Sequence, residues 1–491
     1  MSLDKFKQAA LTGARWTLAA RVGLQLVTWP ATILVVRLLE PGDYGLFAIA
    51  MLVTGFVTLV AELGLGVALV QAHEVNEETA RVASTVILLL NGLVGLTIIV
   101  LAPWVADAFD EPDVALVMQV LTIELLLGAF AAVPQAMLER QLHFRQLSLA
   151  QMVAGVAGAA TTVTAALLDG GVWSLVAGSL VIALVRSVLL IWFHGRLVWP
   201  GPLRWSTIRP MVHVSSHVVA SRALWYWYGQ SDQLVVGRVL HASMLGLYNV
   251  AAQLAMLPAS KAMEAVNRVA FPILSRIRSD TAALQHTHQR MIGLLALYAF
   301  GVCWGLGAVA HEFVFLVLGA KWALAATPLT MLSLIAPLRM LCAMHNTVAT
   351  AVGVPQAATK ELALAGLVMP VAFLAGAWWD GLAGASLAWL VAFPAVYLVS
   401  NHLTTTALGM RALAGLRPLA APLAAGLGLL ASVWLVRSLT ADRVPLALQL
   451  AAEIAAGALA YSGLLWLFAR PLLLDAQNLL LDLLRPRRTA S

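Results

Sequence analysis

Apolar runs long enough to cross a bilayer core, which takes about 20 helical residues, recur along the whole chain between short polar or charged stretches. They fall at 14–36, 44–70, 82–106, 114–136, 148–168, 172–193, 208–230, 243–273, 288–310, 323–352, 358–378, 381–404, 416–437 and 446–468. The runs are continuous, and the alternation of an outer-membrane barrel strand is absent. With no water to satisfy backbone groups, a continuous apolar run of this length closes its hydrogen bonds internally as a helix. The pattern therefore predicts an all-α integral membrane protein with about 14 transmembrane helices. The first run is interrupted by Arg21 and followed by no small-residue cleavage site, so it reads as a span and not a signal peptide. Past Arg470, Leu472, Leu473, Leu474, Leu479, Leu480 and Leu483 precede Arg485, Arg487 and Arg488, which predicts an amphipathic tail over 471–491 on an anionic cytoplasmic leaflet.

Composition agrees and removes alternatives. Of 491 residues, 61% are hydrophobic and 11% charged, against about 25% charged in soluble domains, and the mean hydropathy is +0.87. A soluble enzyme or a nucleic-acid-binding domain is excluded, although the net charge of +6 first points to nucleic acid. Locating the basic residues gives that charge another meaning. Nineteen lie on one side of the predicted spans and five (Arg37, Arg238, Lys321, Arg437 and Arg443) on the other. The positive-inside rule then places both termini in the cytoplasm and the acidic loop Asp107, Asp110, Glu111, Asp113 outside. Cys303 and Cys342 sit in apolar stretches and offer neither a disulfide framework nor a metal site. His286 and His288 form a His-x-His assigned to a cytoplasmic loop without a third ligand, so no metal and no cofactor are expected. No predicted loop exceeds about 18 residues, which leaves no room for an extramembrane catalytic domain.

The chain also repeats itself. The stretch Arg37–Ala50 lies over Arg238–Ala251 at a shift of 201 residues, with identities at Arg37/Arg238, Leu39/Leu240, Gly45/Gly246, Leu46/Leu247 and Ala50/Ala251. In the same register Arg21 falls on Arg222. Six spans separate the copies, so the halves share one orientation, as in transporters built from two bundles about an axis along the membrane normal. The expected organisation is an N-terminal lobe over 1–200, a second six-helix lobe over 201–405 and two accessory helices over 406–470.

Ionisable residues inside spans cost about 2.5–3.5 kcal/mol each even on lenient scales and mark functional surfaces. Ten are found: Arg21, Glu62, Glu124, Arg186, Arg222, Lys261, Glu264, Arg268, Arg339 and Glu453. Several belong to polar stripes at helical spacing. Arg21, Gln25, Thr28 and Thr32 form one, Thr54, Thr58 and Glu62 another, and Arg222, Tyr226 and Gln230 a third. The longest runs through Asn249, Gln253, Ser260, Glu264 and Asn267, and Arg339, Asn346 and Thr350 make the last. Cations outnumber acids on these helices, which suits an anionic cargo, and the planar fork of arginine suits phosphate. The amides and hydroxyls suit a glycan, so the stripes together describe a phosphorylated glycolipid headgroup. Glu124 and Glu453 show no partner, and Arg186 lies near enough to a helix end to snorkel.

Leu38-Leu-Glu-Pro-Gly-Asp-Tyr-Gly-Leu-Phe47, Arg140-Gln-Leu-His-Phe144 and Gly170-Gly-Val-Trp-Ser-Leu-Val176 resemble the polysaccharide flippases of the multidrug/oligosaccharidyl-lipid/polysaccharide exporter superfamily. So do Asp232-Gln-Leu-Val-Val-Gly237, Leu245-Gly-Leu-Tyr248 and Gly319-Ala-Lys-Trp322, and the likeness runs in order from about 10 to 410. The resemblance implies two six-helix lobes, a V-shaped cavity and export of polyprenyl-pyrophosphate-linked oligosaccharide across a bacterial inner membrane by alternating access. It also implies that Arg21 and Arg222 hold the pyrophosphate.

The full expectation adds Lys261 and Arg339 to that phosphate site and assigns the glycan to Gln25, Tyr226, Asn249 and Gln253. Glu62 or Glu264 would carry a coupling proton or sodium ion. Membrane lipids and a polysaccharide polymerase complete the expected partners, and no nucleic acid is among them. A multidrug/cation antiporter stays open as an alternative that the positive cavity disfavours. A membrane polysaccharide polymerase or ligase also stays open, disfavoured by the short loops.

Overall fold

The computed structural model describes residues 23–61, 76–202, 215–277, 280–441 and 443–484, without the side chains of 60–61, 215–222, 265, 268–269, 476 and 479–484. Among the described residues there are helices and short connectors and no strand. The helices are α1 (Gly23–Leu38), α2 (Pro41–Ala61), α3 (Glu77–Phe109), α4 (Asp113–Arg140), α5 (Phe144–Leu167), α6 (Val172–His194) and α7 (Ser215–Arg276). They continue with α8 (Thr281–Ala308), α9 (Ala326–Val352), α10 (Pro355–Ala407), α11 (Ala420–Thr440), α12 (Leu446–Phe468) and α13 (Arg470–Leu484). Local chemistry sets several ends. The Asn76 side chain accepts from the Thr79 N–H at 2.7 Å and that of Asp280 from the Ala283 N–H at 3.0 Å, satisfying open donors at the starts of α3 and α8.

Eleven helices among the described residues are long and apolar enough to cross a membrane, and α1 is a shorter apolar helix whose run begins before Gly23. Two of the long helices are broken. The 62-residue α7 has non-helical backbone at His241, and the 53-residue α10 at Asp380 and Gly381. The described part of the seventh predicted span, 215–230, and the eighth span fall on the two arms of α7, and the eleventh and twelfth on the two arms of α10. The lipid-facing surface is legible on α3, where Leu89, Leu93, Leu96 and Val100 follow helical spacing and are all more than half exposed, while Ile98, Ala102 and Ala106 are buried.

The chain divides into two compact units, residues 1–246 and 247–491. In the first, α3 packs on α4, α5 on α6, and α4 on both α2 and α6. In the second, α9 packs on α10 and α8, and α11 joins α8 and α12. Close approaches use residues without side chains, as expected where van der Waals contact drives helix association. A Cβ on Gly158 of α5 would meet the carbonyl of Gly178 on α6 at 2.9 Å.

The repeat has structural counterparts. A Cβ on Gly45 would run into the backbone of Ala242, and one on Gly246 into the carbonyl of Pro41. Ala242 is Pro41 shifted by 201 residues, so the two contacts are reciprocal, as a local two-fold relation requires. Gly171, before α6, has φ 52° and ψ −136°, and Gly381, at the break in α10, has φ 52° and ψ −129°. The same left-handed turn thus introduces α6 and the second arm of α10, at a conformation only glycine adopts without strain.

Candidate functional site

Exposed polar side chains follow one face of the second arm of α7. Ala251, Ala255, Ala259, Ala270 and Leu274 bury one face of this arm, and the opposite face carries the predicted stripe. Asn249 is half-buried, and Gln253, Ser260, Lys261, Glu264 and Asn267 are exposed within a helix of spanning length. Gln253 Nε2 donates to Asn249 Oδ1 at 2.9 Å, so these two amides form one edge. Toward the arm's C-terminal end the stripe meets α9. Thr347 Oγ1 donates to Asn267 Oδ1 at 2.9 Å across a cleft of about 600 Å³ lined by Asn267, Phe271, Pro272, Asn346, Thr347 and Thr350. Two stripes read from the sequence, one on each helix, converge here. Amide and hydroxyl groups on one wall and an aromatic ring on another are the groups that hydrogen-bond and stack on a sugar.

The other predicted residues are distributed as follows. Arg21 and Glu62 lie outside the described residues, as does the side chain of Arg222 on the first arm of α7. Arg339 is half-buried on α9, with its guanidinium 4.1 Å above the ring of the fully buried Trp389. That indole donates to the Tyr248 hydroxyl at 2.9 Å, so the cation is held by an aromatic wall. Gln25 is half-buried on α1. Tyr226 donates its hydroxyl proton to the Leu52 carbonyl at 2.7 Å and packs against Phe56, which commits its donor to tying α7 to α2. Thr54 and Thr58 likewise donate to carbonyls of their own helix, at 2.7 and 2.6 Å. Arg186, read as a snorkelling residue, donates to Gln135 Oε1 at 2.9 Å.

Some contributing residues escaped the sequence reading. Phe271 and Thr347 sit in the cleft without standing out from an apolar run. Glu361 is buried in the second turn of α10, a position that reads as a helix-end carboxylate, yet it accepts from the Asn346 amide at 2.8 Å directly behind the cleft. His288 is not in a loop but within α8 and completely buried. Among the described residues no group of three or more His, Cys, Asp or Glu could hold a metal ion.

Residues 34–327 match the family described as polysaccharide biosynthesis protein. The chain belongs to that family. Its relatives include the lipopolysaccharide biosynthesis protein WzxC of Escherichia coli (strain K12), 25% identical over 326 residues that make up 64% of each chain. The succinoglycan biosynthesis transport protein ExoT of Rhizobium meliloti (strain 1021) is 28% identical over 65% of this chain. In both alignments the chain spans 64% of the relative's length. Among solved structures, the lipid II flippase MurJ in an inward closed conformation superposes with a TM-score of 0.71. That match is 12% identical and covers 94% of this chain and 100% of that one. At this identity the likeness concerns the fold, and it extends over nearly the whole chain.

Proposed function

We propose that this protein is an inner-membrane flippase that moves polyprenyl-pyrophosphate-linked oligosaccharide from the cytoplasmic to the periplasmic leaflet for surface polysaccharide synthesis. The observation that carries the reading is the polar stripe Asn249–Asn267, exposed along a spanning arm and ending in the cleft of Asn267, Asn346, Thr347 and Thr350. In lipid such a surface is costly; lining an aqueous passage it is a glycan path. The family membership, the transport role of the succinoglycan relative and the likeness of fold to a lipid II flippase support the same reading.

In this proposal fourteen spans form lobes over 1–200 and 201–405, accessory helices over 406–470 and a tail over 471–491, with both termini cytoplasmic. The headgroup enters the passage while the polyprenyl chain stays in lipid. Arg21 and Arg222 hold the pyrophosphate, aided by Lys261 and Arg339, while Gln25, Tyr226, Asn249 and Gln253 contact the glycan. Rocking of the lobes then exposes the headgroup outward. A coupling proton or sodium ion and a polysaccharide polymerase are the further partners. Glu62 or Glu264 is the first candidate for the coupling group.

The test is complementation of a host lacking the gene. The wild-type chain should restore surface polysaccharide, and Arg21→Ala/Arg222→Ala, at equal abundance, should reduce it to background. Full export by the double variant removes the phosphate site. Dye resistance without any polysaccharide defect replaces the flippase with an antiporter.

A further inference from the structure

Behind the cleft, wholly inside the unit 247–491, lies a second set of titratable groups. His288 of α8, His345 of α9 and Tyr397 of the second arm of α10 stack as a column. Successive ring centroids are 5.6 Å apart, at interplanar angles of 26° and 19°. Both histidines are completely buried and Tyr397 nearly so. None of the four imidazole nitrogens, nor the Tyr397 hydroxyl, has a hydrogen-bond partner among the described residues. Buried polar groups are normally paired, so five unpaired atoms in one place mark a site built for something other than packing.

Glu361 adjoins this column through Cys342. It is 3% exposed and accepts from the Cys342 thiol at 3.3 Å and the Asn346 amide at 2.8 Å, both neutral donors. No described cation pairs with it. Arg339, one turn back from Cys342 on α9, is directed over Trp389, and Lys360 beside it in sequence is exposed. The titratable or charged groups around the site are therefore His288 on α8, Arg339, Cys342 and His345 on α9, and Tyr397 on α10 itself. A buried carboxylate in a spanning unit with no cation is stabilised most simply by taking up a proton. A metal ion is a poor occupant. Calcium takes about six to eight oxygen ligands and usually several carboxylates, whereas Glu361 is the one carboxylate among these groups and both of its hydrogen bonds are accepted from donors.

We propose that Glu361 is a proton-binding site, with the His288–His345–Tyr397 column beside it, and that Asn346 transmits its protonation state to the cleft. This rests on the flippase reading for its consequence, coupling of glycan movement to protons, but not for the binding itself. Ionised Glu361 accepts from the Asn346 amide nitrogen. Taking up one proton forms one O–H bond, so one carboxylate oxygen becomes a donor and the other a neutral carbonyl acceptor. With the proton on Oε2, the oxygen that accepts from Asn346, the amide presents its own oxygen to the new O–H, and with the proton on Oε1 the Asn346 bond passes from a carboxylate to a weaker neutral carbonyl acceptor. Either change reaches the cleft wall that Asn346 shares with Thr347 and Thr350. Release of the proton reverses the change, and nothing is oxidised or reduced.

The experiment uses the full chain in vesicles of phosphatidylethanolamine and phosphatidylglycerol, with infrared difference spectra taken between about pH 5 and about pH 9, a range that brackets shifted carboxyl and imidazole groups. The wild type should gain a protonated-carboxyl stretch on acidification. Glu361→Gln should lose that band, Glu361→Asp should keep one, and Asn346→Leu should change its frequency because the hydrogen-bond partner of the carboxyl is gone. A wild type without such a band overturns the site, as does a Glu361→Gln spectrum that retains it in full. In the complementation host, Glu361→Gln should lower export to the level of the empty strain while Glu361→Asp retains it, and undiminished export by Glu361→Gln overturns the coupling. A wild-type chain that binds the proton in vesicles but restores no polysaccharide sinks the flippase reading and leaves the proton site standing. Should Glu361→Gln fail to accumulate, the wild-type and Asn346→Leu spectra decide.

Discussion

Gly45 and Gly246 are matched by the 201-residue repeat and oppose each other's helix starts, where an added methyl would overlap backbone atoms that cannot swing away. Alanine is otherwise the better helix former by about 1 kcal/mol, so these positions set a local rule against a steric one. Overpacking of about 1–3 kcal/mol should win. Gly45→Ala and Gly246→Ala should each lower the thermal midpoint of the detergent-solubilised protein. Gly92→Ala, where a Cβ meets nothing within 4 Å, should leave it unchanged or raise it. Equal midpoints for all three would remove the packing argument. Repeat glycines were legible in the sequence because a matched glycine is scarce among leucine and alanine matches, although their opposition across a shared contact was not. Asn267, Asn346 and Thr350 were legible as stripe members for a similar reason. Polar residues at helical spacing stand out in an apolar run, whereas the aromatic Phe271 and the helix-end Glu361 look ordinary there.

Helices α11 and α12 illustrate what spacing alone misses. Glu453 has no partner visible in the sequence, and Arg437 counts among the few basic residues of the outer side. Folding brings them together. Arg437 donates to Glu312 at 2.5 Å, to Glu453 at 3.3 Å and to the Ala308 carbonyl at 2.7 Å, while Gln449 Nε2 donates to Glu453 at 3.0 Å. Both carboxylates are essentially buried, and Arg437 is about one-third exposed beside a cavity of about 180 Å³ shared with His311 and Thr330. The network fastens both accessory helices to the segment after α8. Removing one member of a buried ion pair costs about 3–5 kcal/mol because the other charge is stranded, and the partial exposure of Arg437 puts its loss near the lower end. Arg437→Met should therefore destabilise the protein and open the loop between α11 and α12 to protease. Glu453→Gln should do much less, since Arg437 keeps Glu312 and the amide keeps its donors and acceptors. Similar proteolysis of the two variants would show that the helices are held by apolar packing alone. At the other end α13 docks through paired contacts of Arg290 with Asp475 and packing on α8 and α12.

At the scale of the whole molecule, the net charge of +6 is an orientation before it is a binding property. Charge on a soluble surface steers ligands, whereas in a polytopic protein the loops that keep lysine and arginine are those that fail to cross. The nineteen-to-five division assigns the connector after α7 to the cytoplasm and the connector between α11 and α12 to the outside. That assignment decides which end of the cleft meets cargo first. Asn267, Asn346, Thr347 and Thr350 all lie toward the ends of their helices that the positive-inside rule assigns to the cytoplasm, the side from which the proposed function would load a lipid-linked glycan. Native Cys303 and Cys342 are buried and leave a low background for labelling. Ala441→Cys should therefore react with a membrane-impermeant maleimide in intact cells whose outer layer has been permeabilised, and Thr281→Cys only after the inner membrane is broken. The opposite result would invert the molecule and turn the glycan cleft toward the periplasm. A flippase loading from the cytoplasm could not then begin its cycle at this site, and the same residues would have to act in release.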